Sequence, residues 1–361
     1  MSRNPNRSGG PAKVLLIALI ALLIAATGLM IWLCIDLVNA PAPQVQKPQP
    51  EVTMPTQAPT LPPPPTTEPP TTAPPEPERV VATATVASQG DLLMHKPVFE
   101  TCRQSDGSYD FSSIFRYSKD LVASYDYAVA NLETTFGGDK YIYQGNPAFN
   151  CPDALADSAV ETGYDMLLTA NNHAGDTMGD GILRTIEHIR SKGMQALGSQ
   201  LNNEESKYAV VDINGIKIGM VCYTWAFSGN GSTFSLNGLN PVKDEGQMNY
   251  FTNNNPDKLY KEAQAAMEQM KAAGAEATML FIHWGQEYQT TENALQNAMA
   301  QKLCDIGYDV IVGGHPHVVQ PVELLQSTQD PDHKTICIYS LGNAVSNQRT
   351  GISTQFPAGY T

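Results

Sequence analysis

The amino-acid sequence predicts a layered α/β fold with mostly parallel strands, and three observations support this. Short apolar runs typical of strands alternate with longer stretches of helical periodicity, a pattern that favours parallel strands covered by helices. Several of these runs end on polar segments rich in histidine and glycine, and ligands gather at such strand ends in α/β sheets. Asn214-Gly215 lies between two further runs and predicts a hairpin, so the sheet is expected to be mixed.

The beginning of the chain is predicted to be a membrane anchor. Residues 1–13 are basic and precede an uninterrupted apolar run from Val14 to Ile35, which as a helix would be roughly 33 Å long. We expect residues 1–13 to be a cytoplasmic tail and residues 14–38 a retained signal anchor, with the rest of the chain exported. A signal peptide cleaved after Val38-Asn39-Ala40 is the alternative. The apolar run, however, is longer than the core of a typical signal peptide.

The anchor is followed by a linker and then by one acidic domain. Residues 39–79 are dominated by Pro, Thr and Gln, so we expect an extended, disordered spacer reaching on the order of 120 Å. Residues 80–361 are long enough for one substantial α/β domain. The chain carries a net charge of −14, which argues against nucleic acid as a partner. Because no closing element follows Asn343, we expect the natural chain to continue past Thr361.

The periodicity assigns strands and helices along the domain in turn. The predicted strands are Val80–Ser88, Tyr127–Ala130, Met166–Thr169, Tyr208–Ile213, Ile216–Tyr223, Thr278–Ile282, Asp309–Val312 and Thr335–Tyr339. The predicted helices are Gly181–Lys192, Pro256–Ala273 and Asn293–Ile306. Glycines end the first two helices, as is common at helix C-termini. The segment Ala226–Asn254 is rich in Gly, Ser and Asn, and it is either an active-site loop or a plain surface loop.

The cysteines give little support to a structural zinc site. One of the six, Cys34, lies in the apolar run, and no two are spaced as Cys-x-x-Cys, the spacing that zinc sites favour. Cys102 and Cys151 lie in loop-like sequence and could form a disulfide. The others lie in apolar runs and are expected to be buried thiols; they are Cys222, Cys304 and Cys337.

The chemistry of the chain is concentrated in polar segments at predicted strand ends. The proposed metal ligands are carboxylates, one amide and imidazoles, namely Asp91, Glu133, Asn172, His283, His315 and His317. Such mixed nitrogen and oxygen ligation suits two divalent ions such as Mn²⁺, Fe or Zn²⁺. Two ions about 3.5–4 Å apart can activate water and clamp a phosphoryl oxygen. His173 would donate a proton to the leaving group, while Asp176 holds its imidazole in one tautomer.

Each of these motifs also has a structural interpretation. Gly90-Asp91 alone is compatible with a turn, Asn171-Asn172-His173 with a helix cap, and His283-Trp284-Gly285 with a core aromatic contact. Gly314-His315-Pro316-His317 is more specific, because two imidazoles in one glycine-led turn are costly unless they bind something. The metal-site hypothesis therefore depends on the joint occurrence of the motifs. His188, within a predicted helix, and His333, in a polar loop, are left out of the site.

Together the motifs resemble the CapA family of bacterial capsule and poly-γ-glutamate synthesis, within the calcineurin-like metallophosphatase fold. The resemblance extends from Val80 to Gln348 and includes Tyr339-Ser340-Leu341-Gly342-Asn343 in addition to the histidine motifs. It implies a four-layer αββα sandwich with a metal site at one edge. It also implies that the superfamily's strand-end aspartate, bridging carboxylate, Asn-His pair, lone histidine and Gly-His-x-His turn fall on the six ligands and His173 named above.

Three departures from the family pattern affect particular residues. The superfamily commonly has Asp-x-His at the first strand, whereas three residues separate Asp91 from His95. His95 is therefore expected to contact substrate as a catalytic residue instead of binding metal. Glu133 replaces the usual bridging aspartate, as is typical of this family. Ala344 replaces an aromatic residue, and Asn347-Gln348 replaces Asp-Gln.

The resemblance implies a membrane-anchored protein in the synthesis, export or anchoring of an anionic surface polymer such as poly-γ-glutamate. We expect hydrolysis of a phosphoester, with the polymer or a phosphoester as ligand and with membrane subunits of a polymer synthase as candidate partners. One alternative is a non-catalytic scaffold that binds the polymer or such subunits. Another is metal-dependent cleavage of an amide link, because polarising a carbonyl needs the same Lewis acid.

Overall fold

The computed structural model describes residues 81–228, 233–238, 241–243 and 247–348. The predicted anchor at 14–38, the linker at 39–79 and the residues after 348 lie outside the described residues. No helix in the described ranges has both the length and the apolar composition needed to cross a bilayer.

The described residues form a mixed α/β fold of fifteen strands and seven α-helices. The strands are β1 (Val86–Leu92), β2 (Tyr127–Asn131), β3 (Met166–Leu168), β4 (Gln195–Leu197), β5 (Tyr208–Ile213), β6 (Ile216–Trp225), β7 (Phe227–Ser228), β8 (Thr233–Ser235), β9 (Pro241–Lys243), β10 (Tyr250–Phe251), β11 (Ala277–His283), β12 (Val310–Gly314), β13 (Val322–Gln326), β14 (Lys334–Ile338) and β15 (Asn343–Val345). The helices are α1 (Lys96–Thr101), α2 (Ser112–Phe115), α3 (Lys119–Val122), α4 (Ala154–Thr162), α5 (Met178–Ser191), α6 (Asp257–Ala272) and α7 (Ala294–Ile306), with a 3₁₀ turn at Gly138–Lys140.

The strands form two large sheets and one small one. The first sheet has the order β15-β1-β2-β3-β4, and all its pairs are parallel. The second has the order β10-β6-β11-β12-β14-β13, with β5 on β6. Only the β5–β6 and β13–β14 pairs of the second sheet are antiparallel. The strands β7, β8 and β9 form a small antiparallel sheet. The predicted mixed α/β class is confirmed.

The hydrophobic clusters show how the layers are stacked. Val129 of β2 and Cys222 of β6 belong to one cluster that joins the two large sheets. Their neighbours point to the opposite faces, because side chains alternate along a strand: Ala130 packs with α1, α2 and α4, and Tyr223 packs with α6 and α7. Both large sheets therefore contribute to the cluster that joins them, and helices pack against the opposite face of each sheet.

Local sequence signals explain several element ends. Asn293 caps α7, its side-chain oxygen accepting hydrogen bonds from the backbone of Leu295 and Gln296 at 3.0 Å. Gly307 ends the same helix with φ 105°, a left-handed conformation that glycine adopts at little cost. Asn214 and Gly215, with φ 56° and 86°, form the predicted hairpin between β5 and β6.

The first predicted strand was placed too early in the chain. β1 begins at Val86 and not at Val80. The Thr85 backbone and hydroxyl instead donate to the Asp126 carboxylate at 2.8 and 2.7 Å. A side chain from a neighbouring turn thus takes the hydrogen bonds that a strand ladder would have used. The other predicted strands and helices are present, with ends shifted by a few residues.

Several elements gave too little periodic signal to be predicted from sequence. They are β4, β7–β10, β13, β15 and the short helices α1–α4. Most of the missed strands have only two or three residues, so alternation could not identify them. The five cysteines outside the apolar run are buried free thiols. Cys102 and Cys151 share one hydrophobic cluster, and the structure has no disulfide between them.

Candidate metal centre

A bulge in β1 places the Asp91 carboxylate at the edge of the central core. The pairing of β1 with β2 skips Gly90, so that Gln89 faces Ala130 and Asp91 faces Asn131. A bulge of this kind re-aims the next side chain. Asn131 then donates from Nδ2 to Asp91 Oδ1 at 2.8 Å. The carboxylate is fully buried and fixed in position from one side.

Glu133 and Asn172 follow the neighbouring strands β2 and β3. Both are buried, Glu133 completely. Asn171, the residue before Asn172, donates from Nδ2 to Asn131 Oδ1 at 3.2 Å and to the Leu132 carbonyl at 2.8 Å. The Asn171 amide thus links the ends of β2 and β3. The separation between the segments that carry Glu133 and Asn172 is therefore fixed.

Three buried imidazoles come from the second sheet. His283 is the last residue of β11, and His315 and His317 follow β12. The backbone of His315 has φ 94° and that of His317 has φ 59°, conformations that non-glycine residues rarely adopt. A side chain on Gly314 would lie 3.0 Å from Asp91 Oδ1, so the glycine lets the turn approach the carboxylate.

These residues form two donor clusters that share Glu133. The first contains Asp91, Glu133 and His317, and the second contains Glu133, His283 and His315. Within each cluster, one ligand atom from every residue lies within 4.8 Å of the others.

Individual distances assign one carboxylate oxygen of Glu133 to each cluster. In the first cluster, His317 Nδ1 lies 3.3 Å from Asp91 Oδ2 and 3.9 Å from Glu133 Oε2. In the second, His283 Nε2 lies 3.4 Å from Glu133 Oε1 and 2.7 Å from Asn172 Oδ1. Asn172 therefore joins the second cluster as an amide donor.

Unpaired buried atoms provide a test of whether a cation fits this site. Asp91 Oδ2, both Glu133 oxygens and His315 Nδ1 are buried without a hydrogen-bond partner among the described residues. Such groups are costly to bury unless something compensates them. The ion-pair contacts of the two carboxylates within the described ranges are made to histidines alone. Divalent cations would satisfy all four atoms, so the donor set fits metal ions.

The electrostatics of the site favour the ligand forms of the imidazoles. Burial lowers the pKa of His283 to about 3, and burial followed by the charge of His283 lowers the pKa of His315 well below its usual value. Both rings are thus neutral near pH 7, the form that binds metal. Burial and then the charge of Asp91 raise the pKa of Glu133 well above its usual value. Burial would raise the pKa of Asp91, but contacts with His317 and Asn131 and the charges of His283 and His317 together outweigh burial and lower the pKa.

His173 and Asp176 form a pair beside the clusters. His173 Nδ1 lies 2.7 Å from Asp176 Oδ2, which leaves Nε2 as the nitrogen available to a substrate. Asp176 also accepts from the backbone N–H of Phe149 and from Asn237 Nδ2, both at 2.5 Å. The carboxylate thus holds the imidazole in one orientation.

His95 lies at the start of α1, outside both donor clusters. Its Nδ1 is 3.3 Å from the Leu93 carbonyl and 3.4 Å from the backbone N–H of Asn347. Its ring packs edge-on against Phe149, which packs in turn against His173. Burial is the main cause that lowers the pKa of His95 to about 4. These contacts make His95 a neighbour of His173 through Phe149. The two other histidines, His188 and His333, contact main-chain carbonyls at 3.2 and 3.1 Å.

An open cleft of about 870 Å³ lies over the second cluster. Asn172, His173 and His315 form part of its lining. Further lining residues are amide or aromatic side chains, among them Asn146, Trp225, Phe227, Asn237, Tyr288 and Gln289. Phe227, Asn237 and Asn253 belong to the segment Ala226–Asn254, so described residues of this segment line the cleft, in agreement with one of its two sequence interpretations.

Some residues of the site were not predicted as such from the sequence. Asn343 Oδ1 lies 3.0 Å from His317 Nδ1, and Asn131 holds Asp91. Glu287 forms a further possible ligand group with His315 and His317 at the exposed rim. Asn343 lies in a motif that the family resemblance includes, and Glu287 follows the His283-Trp284-Gly285 motif by two residues. Only the spatial proximity of β15 and the β11–α7 loop to the histidines indicates a role for them.

The chain is similar to known proteins of bacterial capsule synthesis. A family model described as "Bacterial capsule synthesis protein PGA_cap" matches residues 85–348. The chain is 28% identical over 270 residues to "Capsule biosynthesis protein CapA" of Bacillus anthracis, covering 73% of this chain and 60% of that protein. It is 26% identical over 265 residues to "PGA biosynthesis protein CapA" of Bacillus subtilis (strain 168), covering 72% of this chain and 62% of that protein. The alignments thus span about three fifths of the length of these relatives.

Proposed function

The chain belongs to the PGA_cap family of bacterial capsule synthesis proteins, and on that basis we propose a specific role and chemistry for it. It acts outside the cytoplasm, held by the apolar run within 14–38, in the synthesis, export or anchoring of a poly-γ-glutamate-type surface polymer. Two relatives named for capsule and PGA biosynthesis support the polymer. The basic residues before the apolar run support the orientation.

The proposed activity is metal-dependent hydrolysis of a phosphoester at a dinuclear site. The observation that carries this proposal is the pair of donor clusters sharing Glu133, in which four buried atoms lack partners within the described residues. Asp91, Glu133 and His317 would hold one ion, and Glu133, Asn172, His283 and His315 the other. Bound divalent ions would supply Lewis acidity toward a phosphoryl oxygen and a water molecule.

The remaining chemistry belongs to side chains of the chain itself. Glu133 fixes the separation of the two clusters, because its two oxygens face different histidines. His173 is the proton donor to the leaving group, since Asp176 occupies its Nδ1 and leaves Nε2 for the substrate. The cleft beside His173 binds the rest of the substrate through amide and aromatic side chains.

Turnover of a model phosphodiester by the full chain tests the activity. With Mn²⁺, Zn²⁺ or Fe²⁺ added, we expect hydrolysis that Glu133→Ala abolishes and that His173→Ala lowers by about 10²–10⁴-fold, the usual contribution of general acid catalysis. His333→Ala is the matched control, because it removes an imidazole that contacts the Tyr308 carbonyl and the Thr335 hydroxyl and belongs to neither donor cluster. Absence of turnover with every metal, or equal turnover in all variants, would overturn the hydrolase proposal.

Polymer production in the source bacterium separates catalysis from scaffolding. If the hydrolase proposal is correct, His173→Ala lowers the amount of surface polymer as strongly as deletion of 14–38 does. If His173→Ala leaves the polymer unchanged while the deletion removes it, the protein serves as a membrane-anchored scaffold instead.

A further inference from the structure

The first donor cluster is one protein donor short of the second. Four residues form the second cluster, namely Glu133, Asn172, His283 and His315. The first has Asp91, Glu133 and His317. His95 belongs to neither donor cluster.

Asn343 lies beside the first cluster. Its Oδ1 is 3.0 Å from His317 Nδ1, the same nitrogen that lies 3.3 Å from Asp91 Oδ2 and 3.9 Å from Glu133 Oε2. Oxygens of three residues thus gather around one imidazole nitrogen. The position of Asn343 is set by the fold, since it pairs with Asp91 where β15 joins β1 in parallel.

The orientation of the Asn343 amide is fixed by a second amide. Asn343 Nδ2 donates to Gln348 Oε1 at 2.7 Å. Gln348 Nε2 in turn donates to the Tyr288 hydroxyl at 3.0 Å. Because an asparagine amide carries its acceptor and its donors on opposite branches, this chain of contacts directs the Asn343 oxygen toward the cluster.

We propose that Asn343 Oδ1 is the fourth protein ligand of the ion in the first cluster, oriented by Gln348. This inference depends on the dinuclear site proposed above. Each cluster then contains one amide oxygen, Asn343 in the first and Asn172 in the second, in addition to the shared Glu133. A carbonyl-type oxygen donor suits Mn²⁺, and it adds no charge to a cluster that already holds two carboxylates.

Metal binding by the full chain tests this assignment without relying on turnover. Mn²⁺ or Zn²⁺ is titrated into wild type and Asn343→Ala, with bound metal measured by elemental analysis. We expect two ions in wild type, and one of the two bound at least about tenfold more weakly in the variant. Asn343→Asp restores both ions, because it keeps an oxygen at the same place. Asn347→Ala is the matched control, since it removes an amide from the same segment.

A Co²⁺ spectrum separates a ligand from a residue that merely positions His317. Loss of an oxygen ligand changes the coordination number, and therefore the visible absorption bands, of one of the two Co²⁺ ions in Asn343→Ala. A second variant, Gln348→Met, removes the acceptor that orients the amide and is expected to weaken the same ion.

The outcomes distinguish this inference from the site on which it depends. Two ions bound equally well in wild type and Asn343→Ala overturn the role of Asn343 and leave the dinuclear site intact. Weaker binding in Asn343→Ala with unchanged Co²⁺ bands also overturns it, because Asn343 would then act only through His317. No metal bound by folded wild type, as judged by circular dichroism, overturns both the inference and the site.

Discussion

At the scale of single residues, the Gly314–His317 turn holds two imidazoles in unfavourable backbone conformations. Positive φ values of 94° at His315 and 59° at His317 cost roughly 1–3 kcal/mol each where the surroundings impose them. Packing retains the rings, since His315 contacts His283 and Trp225 with ring centroids 4.9 and 5.4 Å apart. Strain of this kind collects at functional sites, which agrees with a ligand role for both rings.

The pair of His173 and Asp176 leads to a prediction at the same scale. Asp176→Asn keeps the shape of the side chain but replaces one acceptor oxygen by a donor amide, which cannot satisfy His173, Phe149 and Asn237 together. We expect kcat on a phosphodiester to fall by about 10²-fold or more, while the metal content stays at the wild-type level. Steady-state kinetics and elemental analysis measure the two quantities.

Asp180→Asn provides the control for this prediction. Asp180 lies four residues further along the chain, is exposed, and pairs with Lys140 and Tyr141 at the surface. The kcat of the Asp180→Asn protein is expected to match that of wild type. An Asp176→Asn protein with unchanged kcat would show that the orientation of His173 does not matter for turnover.

At the scale of secondary structure, the bulge in β1 depends on close contact with the segment before β15. A Cβ on Gly90 would lie 1.9 Å from the Gly342 carbonyl oxygen, and the Asp91 backbone N–H donates to that same oxygen at 3.0 Å. Glycine at 90 is therefore required by space. The contact holds Asp91 and Asn343 at neighbouring positions, one on each strand.

Gly90→Ala is expected to destabilise the domain and to weaken metal binding together. The added methyl group must push β15 away from β1, at a cost of about 1–3 kcal/mol in unfolding free energy, and this moves Asn343 relative to Asp91. Urea unfolding and metal titration of the full chain measure the two effects. The contact argument would be wrong if stability and metal affinity both stayed at wild-type values.

Gly179→Ala is the control at this scale. Gly179 lies in α5, and a Cβ there would come no closer than 3.7 Å, to Gln247 Oε1. Because alanine favours helix over glycine, this change is expected to stabilise the protein by about 0.4–1 kcal/mol.

At the scale of the whole molecule, the first sheet brings two like charges together in the core. Asp91 comes from the first sheet, Glu133 from the loop after β2, and both are completely buried in a chain whose net charge is −14. Burying two carboxylates costs several kcal/mol unless cations or good hydrogen bonds compensate them. The three histidines of the second sheet complete a donor set that neither sheet holds alone.

Metal binding is therefore expected to stabilise the fold against heat. Ions that bind the folded state raise its unfolding free energy by about 2.7 kcal/mol for each site at a concentration of 100 times Kd. The melting temperature of the full chain should rise with added Mn²⁺ or Zn²⁺ and fall with a chelator. His315→Ala should lose most of this response, and His333→Ala should keep it. A melting temperature that is indifferent to metal would contradict a bound ion in the core.

Much of the site could be predicted from sequence because its donors lie in short motifs. The six proposed ligands and the His173–Asp176 pair all lie at or next to strand ends, and the structure brings them into one region. His95 was grouped with the catalytic residues on its spacing from Asp91, and it proves to be separated from His173 by Phe149. Asn343 was missed as a ligand, because its strand has three residues and no periodic signal.

The sequence by itself determined the α/β class, the hairpin at Asn214-Gly215 and the chemical types of the donors, because these follow from local periodicity, turn preference and side-chain chemistry. Only the tertiary structure decided which donors meet. The partition of Glu133 between two clusters and the placement of Asn343 beside His317 depend on packing two sheets face to face. The contact of His95 with the Asn347 backbone depends on the pairing of β15 with β1. Two of these contacts join residues that are 26 and 252 positions apart along the chain, so no local sequence pattern specifies them.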